Sequence, residues 1–334
     1  MLINRDDFDL SFRGYLINAC AVRNKQVFQL SARNEEHIQM GLSEGEIEKR
    51  VIRLFLDGPL GNRTGFQGLI GYNTLHACCA RDEDRFVATD TNGQVYRSGN
   101  GESNFEKPIP ECWQENKGPP RVAIFRAKRV LDKVLVCGGG GNAAWRIGAN
   151  SWLFFGADLP NPLEIEDPAK MVQALKNDSF DDIDAFAPKD IYTVGGHGRV
   201  WHYNGAAWRQ CAFPSNMRLY SVCCGGDGFV YIGAQSGTVY KGRGDKWTLV
   251  HRGYSSLPFK DMVWHAGRLW CTSDYGLWSL QDDRIERVLA SDEVLASAGN
   301  LAVGDGVMLL AGQSGVSFHD GEMWFNVFNY VDFA

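Results

Sequence analysis

Four groups of residues in this 334-residue chain could do chemistry. The run Cys137-Gly138-Gly139-Gly140-Gly141-Asn142 offers backbone amides of the kind that cradle phosphate. A phosphate loop also needs a following Lys-Ser/Thr and a helix opening there, and neither is present. Related segments carry glycine-bearing turns at the same place (89–93, 195–198, 233–237 and 311–315), so the run reads as a strand-to-strand turn. Cys78-Cys79 and Cys223-Cys224 offer sulfur to a zinc ion, whose ligands must converge at about 2.3 Å. Neighbouring residues of a strand face opposite ways, so both pairs read as small buried filler near the centre of the fold. The histidines (37, 76, 197, 202, 251, 265 and 319) show no HxH or HExxH spacing. Asp178, Asp181, Asp182 and Asp184 could hold calcium or face a basic protein, but the spacing and glycine of a calcium loop are missing. That run reads as a solvated loop or a partner contact. Neither a metal nor a cofactor is expected.

The elements that must position these groups repeat. An aromatic residue follows a Gly/Asn-marked turn seven times, at Phe28, Tyr96, Trp145, Trp201, Tyr240, Trp278 and Phe318. Trp152, Trp208 and Trp247 stand seven residues after three of these anchors, and Trp324 follows Phe318 closely. The last three steps, 201 to 240, 240 to 278 and 278 to 318, are 39, 38 and 40 residues. A period near 40 made of short strands predicts a β-propeller. The expected fold is all-β, a single seven-bladed propeller spanning 1–334, with six blades as the alternative.

The clearest unit, 219–253, reads as four strands: Leu219–Cys224, Phe229–Ala234, Thr238–Lys241 and Lys246–His251. Segments 182–213, 259–288 and 297–328 follow the same plan, and 74–109 and 121–157 follow it more loosely. The first unit, 15–40, reads as starting at a second strand. Asp9–Arg13 or Tyr330–Phe333 would then supply the missing first strand and close the ring.

Two helical insertions are expected. In 41–57, Ser43 and Glu46 have capping-box spacing before Ile47, Val51, Ile52 and Leu54, which predicts a helix starting near Glu44. In 158–181, Asp167 is a predicted N-cap with Pro168 at the first helical position, and the helix runs to about Asn177. Insertions in a propeller decorate its rim, so partner contacts are assigned to Glu164, Glu166, Asp167, Asp178, Asp181 and Asp182, and to Trp113 in the proline-rich loop 106–120.

The 38 glycines and 10 tryptophans suit hairpin turns and packing between sheets. A net charge of −6 argues against nucleic acid or anionic membranes as partners. The first residues hold acids and no apolar run, which argues against a secretory signal, and no stretch is apolar enough to span a bilayer. Nine cysteines, an odd number scattered along strands, read as reduced thiols, and a cytoplasmic location is expected.

The wider pattern, a turn Gly-x-Val-Tyr/Trp with Trp seven residues on, resembles YVTN/BNR-type bacterial propellers more than true WD40 repeats, whose WD dipeptide is absent. Thr272–Trp278, TSDYGLW, is similar to the Asp box of sialidase-like propellers, which stabilises a hairpin even there. Some propellers of this look act as immunity proteins beside secreted toxins. The resemblance therefore implies a non-enzymatic, cytosolic protein-binding propeller, monomeric when free, with a partner such as a basic toxin domain. The alternative is a glycan-active hydrolase or lyase, or a small-ligand binder, working at the channel mouth with His76, His197, Asp274 and Tyr275.

Overall fold

Short alternating apolar stretches cannot bury both faces alone, so they stack as sheets, and here they do so around a ring. The computed structural model describes residues 1–110 and 123–334. These residues form seven four-stranded antiparallel sheets, each woven from four consecutive strands. The blades span 15–69, 75–106, 124–154, 180–211, 219–251, 261–287 and 300–329. Each inner strand lies against those of both neighbouring blades, and the last blade's inner strand meets the first's, so the ring is closed. Short helices decorate it: α1 (Arg5–Ser11), α2 (Glu35–Gln39), α3 (Pro168–Asn177) and α4 (Asp292–Leu295).

Turn chemistry sets the hairpins. Ala266-Gly267 (φ 50° and 77°) and Asp305-Gly306 (52° and 75°) hold both central residues in the left-handed region. That geometry matches the right-handed twist of the flanking strands. The glycine run 139–141 is such a strand-to-strand turn, as are 196–198 and 235–237. The core lies between blades. Phe28 and Leu30 of blade one interlock with Leu309 and Phe318 of blade seven, and the Phe28 and Phe318 rings stand 5.5 Å apart. Each such side chain contributes about 1.5–3 kcal/mol by leaving water.

Six of the seven anchors sit on third strands; Phe28 sits on a second strand. Blade one is therefore complete from Tyr15, whose strand runs to Asn24 as the inner strand rather than a second one. Its third strand is Lys49–Phe55, within the segment expected to be helical. The helix of this connection lies earlier, at Glu35–Gln39. Glu46 does accept from the Ser43 amide and hydroxyl, at 3.0 and 2.6 Å, but the turn stops there. The β-branched pair Val51-Ile52 then packs on a pleated surface, where such side chains fit well. The second insertion is as expected: the Asp167 carboxylate caps α3, accepting from the Ala169 and Lys170 amides.

Ring closure also differs from expectation. Asp9 lies in α1, residues 330–333 form a 3₁₀ turn, and neither end adds a strand. A polar and aromatic seam joins blades seven and one instead. The Leu2 amide donates to the Val327 carbonyl at 2.7 Å. Phe8 stacks on Phe333 at 4.4 Å and meets Phe328 edge-on at 5.6 Å. The buried Asp7 carboxylate accepts from the Gly61 and Arg63 amides of blade one.

Candidate partner-binding face

In a four-strand meander alternate strands run in opposite directions. Second-to-third connections and blade-to-blade connections therefore leave one face of the ring, and the remaining hairpins leave the other. The long connections 35–48, 155–179, 252–260 and 288–299 share the first, here the insertion face, with residues 107–110, α1 and the C-terminal turn.

Charge is distributed unequally between the faces. On the insertion face Glu35, Glu36, Glu46, Asp158, Glu164, Glu166, Asp292 and Glu293 have no ion-pair partner among the described residues. Against these acids stand Lys107, Arg252, Arg287 and, on α1, Arg5. The hairpin face is laced instead: Asp82 with Lys133 at 2.6 Å, Asp84 with Arg23, Asp132 with Arg129 at 2.6 Å, Asp190 with Arg243, and Asp245 with Arg209 at 2.9 Å. Asp57, Asp282, Asp305, Asp320 and Glu322 there lack an ion-pair partner among the described residues, but Lys25, Arg81, Lys189, Lys246 and Arg284 balance them.

Between the faces runs a channel walled by the seven inner strands, and a buried ion network bars it. Arg126 of blade three reaches across to Asp261 of blade six at 2.6 Å and to the Lys260 carbonyl at 2.8 Å. Its Nε lies 3.3 Å from Asp182 of blade four. Lys128 donates to Asp182 and to the Val222 carbonyl, both at 2.7 Å. Asp261 also accepts from the Leu301 amide at 2.9 Å. Burial pushes the Asp261 carboxyl up, yet Arg126 and the Leu301 amide hold it below its ordinary value. Burial likewise opposes the Lys128 charge, and Asp182 and Asp184 outweigh that and raise it. Between this bar and the hairpin face lies a cavity of about 240 Å³, lined by Cys20, Cys79, Cys224, Asp184 and Trp264 among others.

Several of the expected contact residues are on the insertion face. Glu164 and Glu166 are exposed, beside a 3₁₀ turn capped by Asn161, and Asp167 is exposed at the start of α3. The aspartates after α3 do other work. Asp178 pairs with Arg199, and Asp181 holds Arg218 with two hydrogen bonds of 2.8 and 2.9 Å. Asp182 corrects its assignment: it is fully buried on the inner strand of blade four, committed to Arg126 and Lys128, and cannot meet a partner. Nor is this run a solvated loop from 180 on, because Phe180–Ala187 is a strand. Trp113 lies outside the described residues.

The residues named for the channel-mouth alternative are dispersed. His76 is on the inner strand of blade two, where burial and Arg126 bring it down to about 4. His197 is in a turn of blade four, and Asp274 and Tyr275 are in a turn of blade six, where Asp274 pairs with Lys260 at 2.6 Å. The cysteine pairs sit on inner strands of blades two and five, and burial raises all four thiols. Among the described residues no group of His, Cys, Asp and Glu could hold a metal ion, and no helix is long and apolar enough to cross a membrane.

No protein-family model matches the chain. One curated protein, "Immune protein Tsi7" of Pseudomonas aeruginosa, is 30% identical over 145 residues. That match spans 43% of this chain and 47% of the relative, so about half of the relative's length is covered. Among solved structures, Sqt1 of Saccharomyces cerevisiae superposes with a TM-score of 0.56 over 94% of this chain and 85% of that one, at 9% identity. The WD40 propeller domain of Doa1 gives 0.51 over 90% of both, also at 9% identity. PorZ, a surface component of the type-IX secretion system of Porphyromonas gingivalis, gives 0.57 at 9% identity over 93% of this chain and 38% of its own. At such identities these likenesses speak to the fold alone, and the fold shared with the Doa1 domain is a β-propeller.

Proposed function

We propose that this chain is a protein-binding propeller that neutralises a toxin, an immunity protein whose partner docks on the insertion face. The observation that carries this is the excess of unpaired carboxylates on the face that holds the long connections. Unpaired exposed charge does little for a fold, but it steers an oppositely charged partner into place. The immunity assignment draws on the likeness to Immune protein Tsi7, and the partner class is a basic toxin domain. On this reading the chain is cytoplasmic, non-enzymatic and monomeric when free, binds neither nucleic acid nor membrane, and belongs with YVTN/BNR-like propellers.

On this reading a toxin is encoded beside its gene, and the test is co-expression with it. The wild-type chain should restore growth and co-purify in a 1:1 complex, whereas replacing 160–177 by a short Gly-Ser linker should abolish both. Failure of the wild-type chain to bind or protect would remove the proposal.

A further inference from the structure

The insertion face carries exposed apolar side chains as well as acids, and apart from Leu10 of α1 and Val331 of the C-terminal turn they are gathered at three places. The first is on blade one, where Met40, Leu42 and Ile70 are exposed, Ile70 to 74%. The Gly71 amide donates to the Gly45 carbonyl at 3.0 Å and ties their two loops together. Leu163 and Val172 form the second, on the insertion between blades three and four. Tyr254, Tyr275 and Leu289 form the third, around blades five and six, with Tyr254 at 89% and Leu289 at 98% exposure. The Lys260–Asp274 ion pair links the Tyr254 loop to the Tyr275 turn, and the Val288 amide donating to Leu277 at 2.9 Å sets Leu289 beside it.

Single exposed apolar residues need no explanation, but gathered and rimmed by charge they mark interaction sites. Each group has unpaired acids beside it: Glu36 and Glu46 at the first, Glu164 and Glu166 at the second, Asp292 and Glu293 near the third. Counted around the ring, neighbouring groups are separated by two to three blades, so together they encircle the barred channel mouth. A partner gripped by one loop would leave the other two groups in water.

Resting on the function proposed above, we infer that the partner is a folded basic domain that caps the whole insertion face, seated at once on these three apolar stations. The acids guide its approach and the stations set its residence time, since apolar anchors at an interface act mainly on dissociation.

The test uses the full-length chain and a catalytically inactive form of the adjacently encoded toxin, with affinities from titration calorimetry. One station is altered at a time: Met40→Ser with Ile70→Ser, Leu163→Ser with Val172→Ser, or Tyr254→Ala with Leu289→Ser. All six side chains are exposed, and unchanged melting curves will confirm folding. Each pair should weaken binding at least tenfold, mainly by faster dissociation. If one pair abolishes binding while the other two leave it within twofold, the partner grips a single loop and the three-station seat is wrong, although the toxin-binding reading stands. If the chain alone dimerises and the same substitutions dissociate it, the stations are a self-interface, and the inference falls. If the wild-type chain does not bind the toxin at all, both readings fall.

Discussion

The two faces of the ring are built from the same strands but handle charge in opposite ways. On the hairpin face, short turns bring carboxylates to arginines and lysines of adjacent blades, as in Asp84–Arg23 and Asp190–Arg243. On the insertion face, longer connections carry Glu35, Glu36, Glu164 and Glu166 without an ion-pair partner among the described residues. Charge on the first face knits blades together. On the second it is left available. The difference teaches that in this propeller loop length, not strand sequence, separates charge that is paired across blades from charge that is left free.

The largest expected effect is in the bar between the faces. Arg126→Met leaves Asp261 buried without its cation and should cost about 3–5 kcal/mol in urea unfolding. An unchanged midpoint would mean that the two faces are not braced through the channel. Next is the seam: Phe8→Ala removes a ring stacked between blades one and seven and should cost about 3 kcal/mol, with the loss read as a lower melting temperature. Removing residues 330–334 should act in the same direction, because it takes away Phe333.

A smaller effect concerns pH. On the hairpin side of blades six and seven the buried His265 and His319 rings share a 3.0 Å hydrogen bond inside a wall formed by Trp270 and Trp324. Burial and then His319 bring His265 down to about 4, and burial also lowers His319. Both folded-state values lie below the unfolded value near 6.5, so the neutral pair stabilises the protein above that pH. Stability should therefore decline as pH falls from about 6.5 towards 4, and His265→Gln should flatten that slope in denaturant titrations. The smallest effect compares the faces directly. Neutralising Asp190 or Asp132 should cost up to about 1 kcal/mol, whereas neutralising Glu36 or Glu166 should change stability by less than about 0.5 kcal/mol. Equal costs on both faces would erase the contrast.

Much of the ring was legible because its information is local. The unit from Leu219 to His251 shows its strands in alternation and its turns in glycine, and its first and last strands match the reading residue for residue. Blade one was misread at 41–57 because Ser43 and Glu46 do form a capped turn, and the apolar residues at 47, 51, 52 and 54 suit a helix face as well as a strand. Tertiary packing decided for the strand. Exposure was legible where acids sit in loops, as at 164–167, and burial was illegible where an acid answers a distant charge. Asp182 looks like part of an acidic run until Arg126 and Lys128, more than fifty residues upstream, are brought beside it by closure of the ring. The one available signal was two cations two residues apart on a strand that must be buried, a pattern that calls for counter-charges.

The seam has a further consequence. No blade borrows a strand from the far end of the chain, so every blade is a self-sufficient unit in the order of synthesis. The helix at 5–11 and the turn at 330–333 are then a clasp laid across a ring whose sheets are each complete without them. A nascent chain can complete each sheet as its four strands emerge, and only the fastening of the circle waits for the clasp.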